Sequence, residues 1–131
     1  MKLPPYADLL GATLEWENDL PVLAMPFSDA VLGRPGFVQG GAITGLIEVA
    51  ALAALRHQLA GEGGGRVKPI NVTIDFMRGG RERDTLAQAS ITRLGSRVAN
   101  VEAIAWQDDR HRPIAAARMN YLIVREVSAS R

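Results

Sequence analysis

The sequence predicts an α+β domain in which an antiparallel sheet wraps one long helix, and three observations carry that expectation. Residues from Gly40 to about Ala60 set apolar side chains on nearly every side of a 3.6-residue helix, the pattern of a helix covered all round. From Lys68 onward the apolar period changes to two and is renewed in four runs separated by short polar stretches, the pattern of antiparallel strands. The length, 131 residues, suits one core and one domain spanning 1–131, with no internal repeat or low-complexity tract.

Along the chain, Ala12 to Asn18 and Val22 to Ser28 are short strand-like runs parted by "DLP", a turn signal. "SDAVLGRPGFVQ" follows as a loop, punctuated by Gly33, Pro35 and Gly36. The long helix comes next, with apolar positions that include Ile43, Leu46, Ile47, Val49, Leu52, Leu55 and Leu59, and "GEGGG" at Gly61 to Gly65 stops it. "NVTIDFM" then alternates Val72, Ile74 and Phe76 with Asn71, Thr73 and Asp75. Further strands are expected near Asp84–Leu94, Arg97–Gln107 and Arg112–Val124. The connectors "GGRERD", "LGS" and "QDDRH" are of hairpin length, so the four strands are expected to follow one another as a meander. The helix is expected to be wrapped by that sheet and a further layer.

Composition excludes several classes of function. Fifteen Lys and Arg against fourteen Asp and Glu leave a net charge of +1, which supplies no field for a phosphate backbone, so no nucleic-acid partner is expected. The absence of cysteine removes disulfides, thiol nucleophiles and Cys-zinc sites and suits a reducing cytoplasm. "MKLPPYADLLGATLEWEND" places prolines and acids where a secretory signal needs a continuous apolar core, so a cytoplasmic location is expected. No membrane association is expected, because the run from Ala42 to Leu55 is short and broken by Glu48. No His, Asp or Glu grouping has metal-ligand spacing, and neither a phosphate-binding glycine loop nor a nucleophile-elbow serine occurs. "NVT" at Asn71 reads as strand sequence.

Two features of the helix ask for a reason. An ionised carboxylate among apolar side chains is costly unless it is paired, hydrogen-bonded or wet, so Glu48 either faces solvent or a cation such as Arg56, or serves as a base or nucleophile in a partly dry cleft. Gly40 and Gly41 open the helix, where backbone N–H groups lack intrahelical partners and glycine lets a ligand approach them, as a developing oxyanion would require. The alternative is close packing of the loop against a strand. Eight residues part Gly40 from Glu48, roughly 12 Å along one helix, so both can act on one carbonyl carbon only if they come from different subunits related by a two-fold axis.

The run Gln39, Gly40, Gly41, "AITG", Leu46, Ile47, Glu48 resembles the hotdog-fold acyl-CoA thioesterase superfamily, in particular its phenylacetate-pathway-like and 4-hydroxybenzoyl-CoA-like branch. "INVTIDFMRGG" is similar to the family's third strand and "ITRLGSRVANVEAIAWQDDRHRPIAAARMNYLIV" to its closing hairpins, so the likeness runs from about Ala12 to Val124. The resemblance implies a hotdog fold, hydrolysis of an acyl-CoA thioester, and a homodimer or homotetramer. No cofactor is implied beyond the coenzyme A of the substrate. By the same resemblance Glu48 is the acid that attacks the thioester or activates water, Gly40 polarises the carbonyl and Gly41 supports it. Arg78, Gly95 and Ser96 fall where members contact the coenzyme A arm.

Gln39 stands where the family typically has histidine; glutamine donates and accepts hydrogen bonds but does not titrate near neutrality. Gly33 and Leu52 also depart, standing where members of the two branches place an amide and a hydroxyl. These departures keep open a non-catalytic module that binds acyl-CoA or acts as a scaffold. "RPGFVQGG" is also faintly similar to the proline-glycine lead-in to the central helix of hotdog hydratases and dehydratases. Those enzymes need a histidine paired with the acid, and neither His57 nor His111 stands in the expected place. His57, Trp16 and Trp106 read as packing residues, and "RGGRERD" as a solvated turn whose Arg78, Arg81 and Arg83 could meet coenzyme A phosphates.

Overall fold

In the computed structural model, which describes residues 1–126, a short helix α1 (Pro5–Leu10) precedes the hairpin β1 (Thr13–Glu17) and β2 (Leu20–Met25). The long helix α2 (Gly40–Ala60) follows, and then β3 (Gly65–Phe76), β4 (Thr85–Leu94), β5 (Val98–Trp106) and β6 (Ala115–Arg125). Residues 127–131 of the expected domain lie outside the described residues. The six strands form one antiparallel sheet in the order β1-β2-β4-β5-β6-β3, packed against α2.

The periodicities place α2 and all six strands, but three expectations are corrected. The four later strands are not a meander: β4, β5 and β6 are, whereas β3 lies beyond β6 at the sheet edge. The edge of β4 that a meander would give to β3 is taken by β2, with Leu23, Ala24 and Met25 opposite Ala87, Leu86 and Thr85, so "GGRERD" crosses the end of the sheet. The first hairpin turns at Asn18 and Asp19, both at positive φ (52° and 62°), a two-residue turn whose twist suits adjoining strands. Helix α1 is an addition to the expected elements, although Pro5 at its first turn and Gly11 just beyond its end are start and stop signals.

Close packing between α2 and the sheet depends on small side chains. Ala87, Ala89, Ala99, Ala103, Ala105, Ala115 and Ala117 line the inner face of the sheet and are all buried. They let the sheet curl close to Leu46, Ile47 and Leu55 of the helix, each 0% exposed. At 21 residues α2 is long and apolar enough to cross a membrane by length and composition, contrary to the shorter run expected, but 67% of its most apolar stretch is buried within the protein.

The helix is also not covered all round. Gly41, Glu48 and Arg56 are exposed and Thr44 and Leu52 half-buried, forming an open stripe at helical spacing. Beside it, β3 is an edge strand with Ile70, Val72 and Phe76 exposed, and Met77 exposed just beyond it. A register shift between Pro69 and Asn71 changes which side chains face the helix, and Phe76 beyond it reaches Gly40.

The loop before α2 is held at both ends. Val38 N–H donates to the Gly80 carbonyl at 2.8 Å, Gln39 N–H to the Val31 carbonyl at 2.7 Å, and Gly33 N–H to the Phe37 carbonyl at 2.9 Å. A methyl group on Gly33 would stand 3.0 Å from Gln39 Cα and 3.2 Å from its nitrogen, both backbone atoms that cannot swing aside. Gly33→Ala is therefore expected to lower the unfolding free energy by about 1–3 kcal/mol, the usual scale of overpacking, as read by urea denaturation. Wild-type stability in that variant would show that the loop yields without cost.

Candidate active site

The first turn of α2 carries the donors. The Gln39 carbonyl accepts from Ala42 N–H at 3.0 Å and Ile43 N–H at 3.2 Å, while the N–H groups of Gly40 and Gly41 have no acceptor among the described residues. The Gln39 side chain is exposed and caps nothing. Neither glycine is dictated by packing within the chain: a methyl group on Gly40 would lie 3.5 Å from the Phe76 ring, and one on Gly41 would lie 3.8 Å from the Gln39 amide, both ordinary contacts. The close-packing explanation of this pair fails for that reason. Gly33 is different, because its contact with Gln39 accounts for the missing side chain there.

Glu48 is exposed, so of its two readings the solvent-facing one is what the chain by itself shows. It lies on the open stripe of α2, where it lines a groove of about 310 Å³ with Tyr6, Leu52, Arg56, Val67 and Tyr121. Arg56 is not its partner, since neither residue has an oppositely charged side chain within 4.0 Å among the described residues. Arg56 instead donates to the Lys2 carbonyl at 2.9 Å. Tyr121 is 5% exposed, and among the described residues its hydroxyl donates only to Met119 Sδ, at 3.7 Å. Burial, and after it the negative charge of Glu48, push the Tyr121 phenol up to about 12. Tyr6 closes the groove from α1, its ring seated on Gly45, where a methyl group would collide with it.

Arg78 falls at the same end of the fold as Gly40. It lies after β3 in the crossing loop, where Arg81, Arg83 and Arg112, with the carboxylates Asp108 and Asp109, join it around a cleft of about 220 Å³. This segment is not a free turn, because Gln107 at the end of β5 clamps it. Gln107 Nε2 donates to the Arg81 carbonyl at 2.9 Å, the Arg83 carbonyl at 3.3 Å and Thr85 Oγ1 at 3.2 Å, while Gln107 Oε1 accepts from Arg81 N–H at 2.9 Å. Arg83 is already paired with Asp108. Arg34 and Arg81 lie 4.1 and 4.4 Å from the centroid of the Phe37 ring. Sequence reading missed Gln107, since a glutamine ending a strand carries no local signal of the loop it will hold.

Gly95 and Ser96 are not brought to this end. Their turn joins β4 to β5, where the Gly95 carbonyl accepts from Arg125 Nη2 at 3.0 Å. Arg125 pairs in register with Gly65, just past the far end of α2, a helix about 30 Å long. Trp106 is buried beneath Arg110, as expected of a packing residue, whereas Trp16 is 49% exposed and meets the half-buried His57 edge-on with ring centroids 5.0 Å apart. His111 is exposed in a turn. Among the described residues no group of three His, Cys, Asp or Glu side chains could hold a metal ion.

Comparison with known proteins agrees with this architecture. The family model of the thioesterase superfamily matches residues 35–114. A solved structure from Chromobacterium violaceum shares 34% identity over 90% of this chain and 82% of that one, with a TM-score of 0.73. A mutant thioesterase of Pseudomonas aeruginosa, carrying a glutamine-to-alanine substitution, shares 24% identity over 91% and 85% of the two chains at a TM-score of 0.80. A structure from Mycobacterium tuberculosis shares 23% over 95% and 100%, at 0.83. These last two show the fold alone. No curated protein matches the chain. With the family model over most of its length, and one sheet folded about a single long helix, the chain belongs to the thioesterase superfamily and has its hotdog fold.

Proposed function

We propose that this chain hydrolyses acyl-CoA-type thioesters as a homodimer, with the start of α2 from one protomer and Glu48 from its partner acting on one thioester bond. One observation supports this above the rest. Glycine is kept at two positions where a methyl group has room and where alanine favours a helix by up to about 1 kcal/mol. The space above their unsatisfied N–H groups suits something from outside the protomer.

The open edge of β3 supports the dimer. It presents unpaired backbone groups and exposed apolar side chains, which a second copy could cover. Antiparallel pairing of two copies along β3, about a two-fold axis level with Thr44, midway between Gly40 and Glu48 on α2, would bring the partner's Glu48 level with Gly40. A homotetramer would be two such dimers.

At that site the Glu48 carboxylate takes a proton from water as the water attacks the thioester carbon, or attacks the carbon itself to form an anhydride that water opens. The carbonyl oxygen gathers negative charge and is met by Gly40 N–H, with Gly41 beside it. The C–S bond breaks, and the departing thiolate takes up a proton. Gln39 takes no part in proton transfer and orients by hydrogen bonding. Arg78, Arg81 and Arg112 suit the phosphates of coenzyme A, which enters only as part of the substrate. A cysteine-free chain suits the reducing cytoplasm, where we assign the reaction. Gln39 in place of histidine favours a second reading, a module that binds acyl-CoA without turnover.

Release of free thiol from a panel of acyl-CoAs is expected to fall by at least about 10²-fold in Glu48→Ala, the scale of losing a proton-transfer group; unchanged rates would remove Glu48 from the mechanism. Gly40→Ala is expected to keep the wild-type melting temperature while kcat/KM falls on the order of 10²-fold through misplacement of the carbonyl. Full activity in that variant would remove the helix start from the site. Acyl-CoA binding with no turnover across the panel would establish the second reading.

A further inference from the structure

We propose that the groove beside Glu48 selects acyl groups that end in a carboxylate, with Arg56 holding the distal anion; the proposal rests on the thioesterase reading above. The groove has a polar group at each end and an apolar middle. Glu48, Leu52 and Arg56 follow one another along the open stripe of α2, and all three line the same cavity of about 310 Å³. Glu48 and Arg56 are two helical turns apart, roughly 12 Å along the axis. Leu52 lies between them on the helix, and Val49 and Val67 add apolar lining to the same groove.

Arg56 has unused capacity. One guanidinium nitrogen donates to the Lys2 carbonyl, and no carboxylate lies within 4.0 Å of it among the described residues. A guanidinium offers a planar fork of donors that matches a carboxylate. Tyr121 lines the same groove, is 5% exposed, and among the described residues has only the weak acceptor Met119 Sδ for its hydroxyl. An uncharged alkyl tail would fill the apolar middle and leave both groups unused.

The placement of charge also sets the length of the acyl group. A second carboxylate close to the thioester would face Glu48 and be repelled, whereas one separated from it by several methylenes reaches Arg56. The substrate class is therefore the mono-thioester of a medium-length dicarboxylic acid, in place of a simple fatty acyl group.

Hydrolysis of adipyl-CoA and hexanoyl-CoA, which differ in the distal carboxylate, tests this. The wild type is expected to favour adipyl-CoA in kcat/KM by about tenfold or more, the scale of one charge-assisted hydrogen bond. In Arg56→Gln that ratio is expected to fall to about one, and Arg56→Lys to keep part of it. A wild-type ratio at or below one, or a ratio that Arg56→Gln leaves in place, overturns the proposal while thioester hydrolysis stands. If neither compound is hydrolysed, the catalytic reading fails, and calorimetric binding of the same two compounds decides the preference. Tighter binding of adipyl-CoA that is lost in Arg56→Gln upholds it, and equal binding overturns it.

Discussion

The unsatisfied first turn of α2 is the constraint on which the rest depends. A helix this long ends in backbone N–H groups that need acceptors, and most chains supply them with a capping side chain. Here Gln39 caps nothing, and Gly40 and Gly41 keep the approach to those donors clear. The surrounding structure holds that opening in place. Val38 is bonded to Gly80, Gln39 to Val31, and Gly33 is pressed against the Gln39 backbone, so the helix start is fixed from three directions.

The same fixing joins the helix start to the arginine-lined crossing loop. Gly80 lies within that loop, and Gln107 fastens its next residues to the end of β5. The free N–H groups of Gly40 and Gly41 and the arginines of the loop thus stand at one end of the fold on a rigid support. The acid stands elsewhere, toward the middle of the helix, on a stripe that the single chain leaves open. Its placement makes sense if a second copy completes the site, and the exposed apolar edge of β3 offers the surface for that copy.

Local periodicity carries much of the fold. Apolar side chains on nearly all sides mark α2, and the change to a period of two marks the strands after it. What periodicity does not convey is which strands become neighbours. The pairing of β3 with β6, and of β2 with β4, joins segments far apart in sequence, and a polar connector looks alike whether it turns back or crosses a sheet end. The open stripe on α2 is hidden in the sequence because Leu52 lies on it and alanines surround it. Glu48 is the visible sign of that stripe, and the sequence leaves its solvent-facing and cleft-facing readings equally open. Of the site residues read from the motif, Gly40, Gly41 and Arg78 stand near one another within the chain, while Gly95 and Ser96 stand at the other end. Whether those ends meet is a property of two chains, which the pattern of one chain does not encode locally.

Subunit complementation tests most directly that the site is shared. The Glu48→Ala and Gly40→Ala variants, each strongly impaired alone, are mixed under conditions that exchange subunits, and thiol release from an acyl-CoA is followed. A shared site gives every mixed dimer one composite pair with both Gly40 and Glu48 intact, so activity returns as exchange proceeds. No return of activity, with exchange itself demonstrated by differently tagged subunits, would contradict a site built from two protomers.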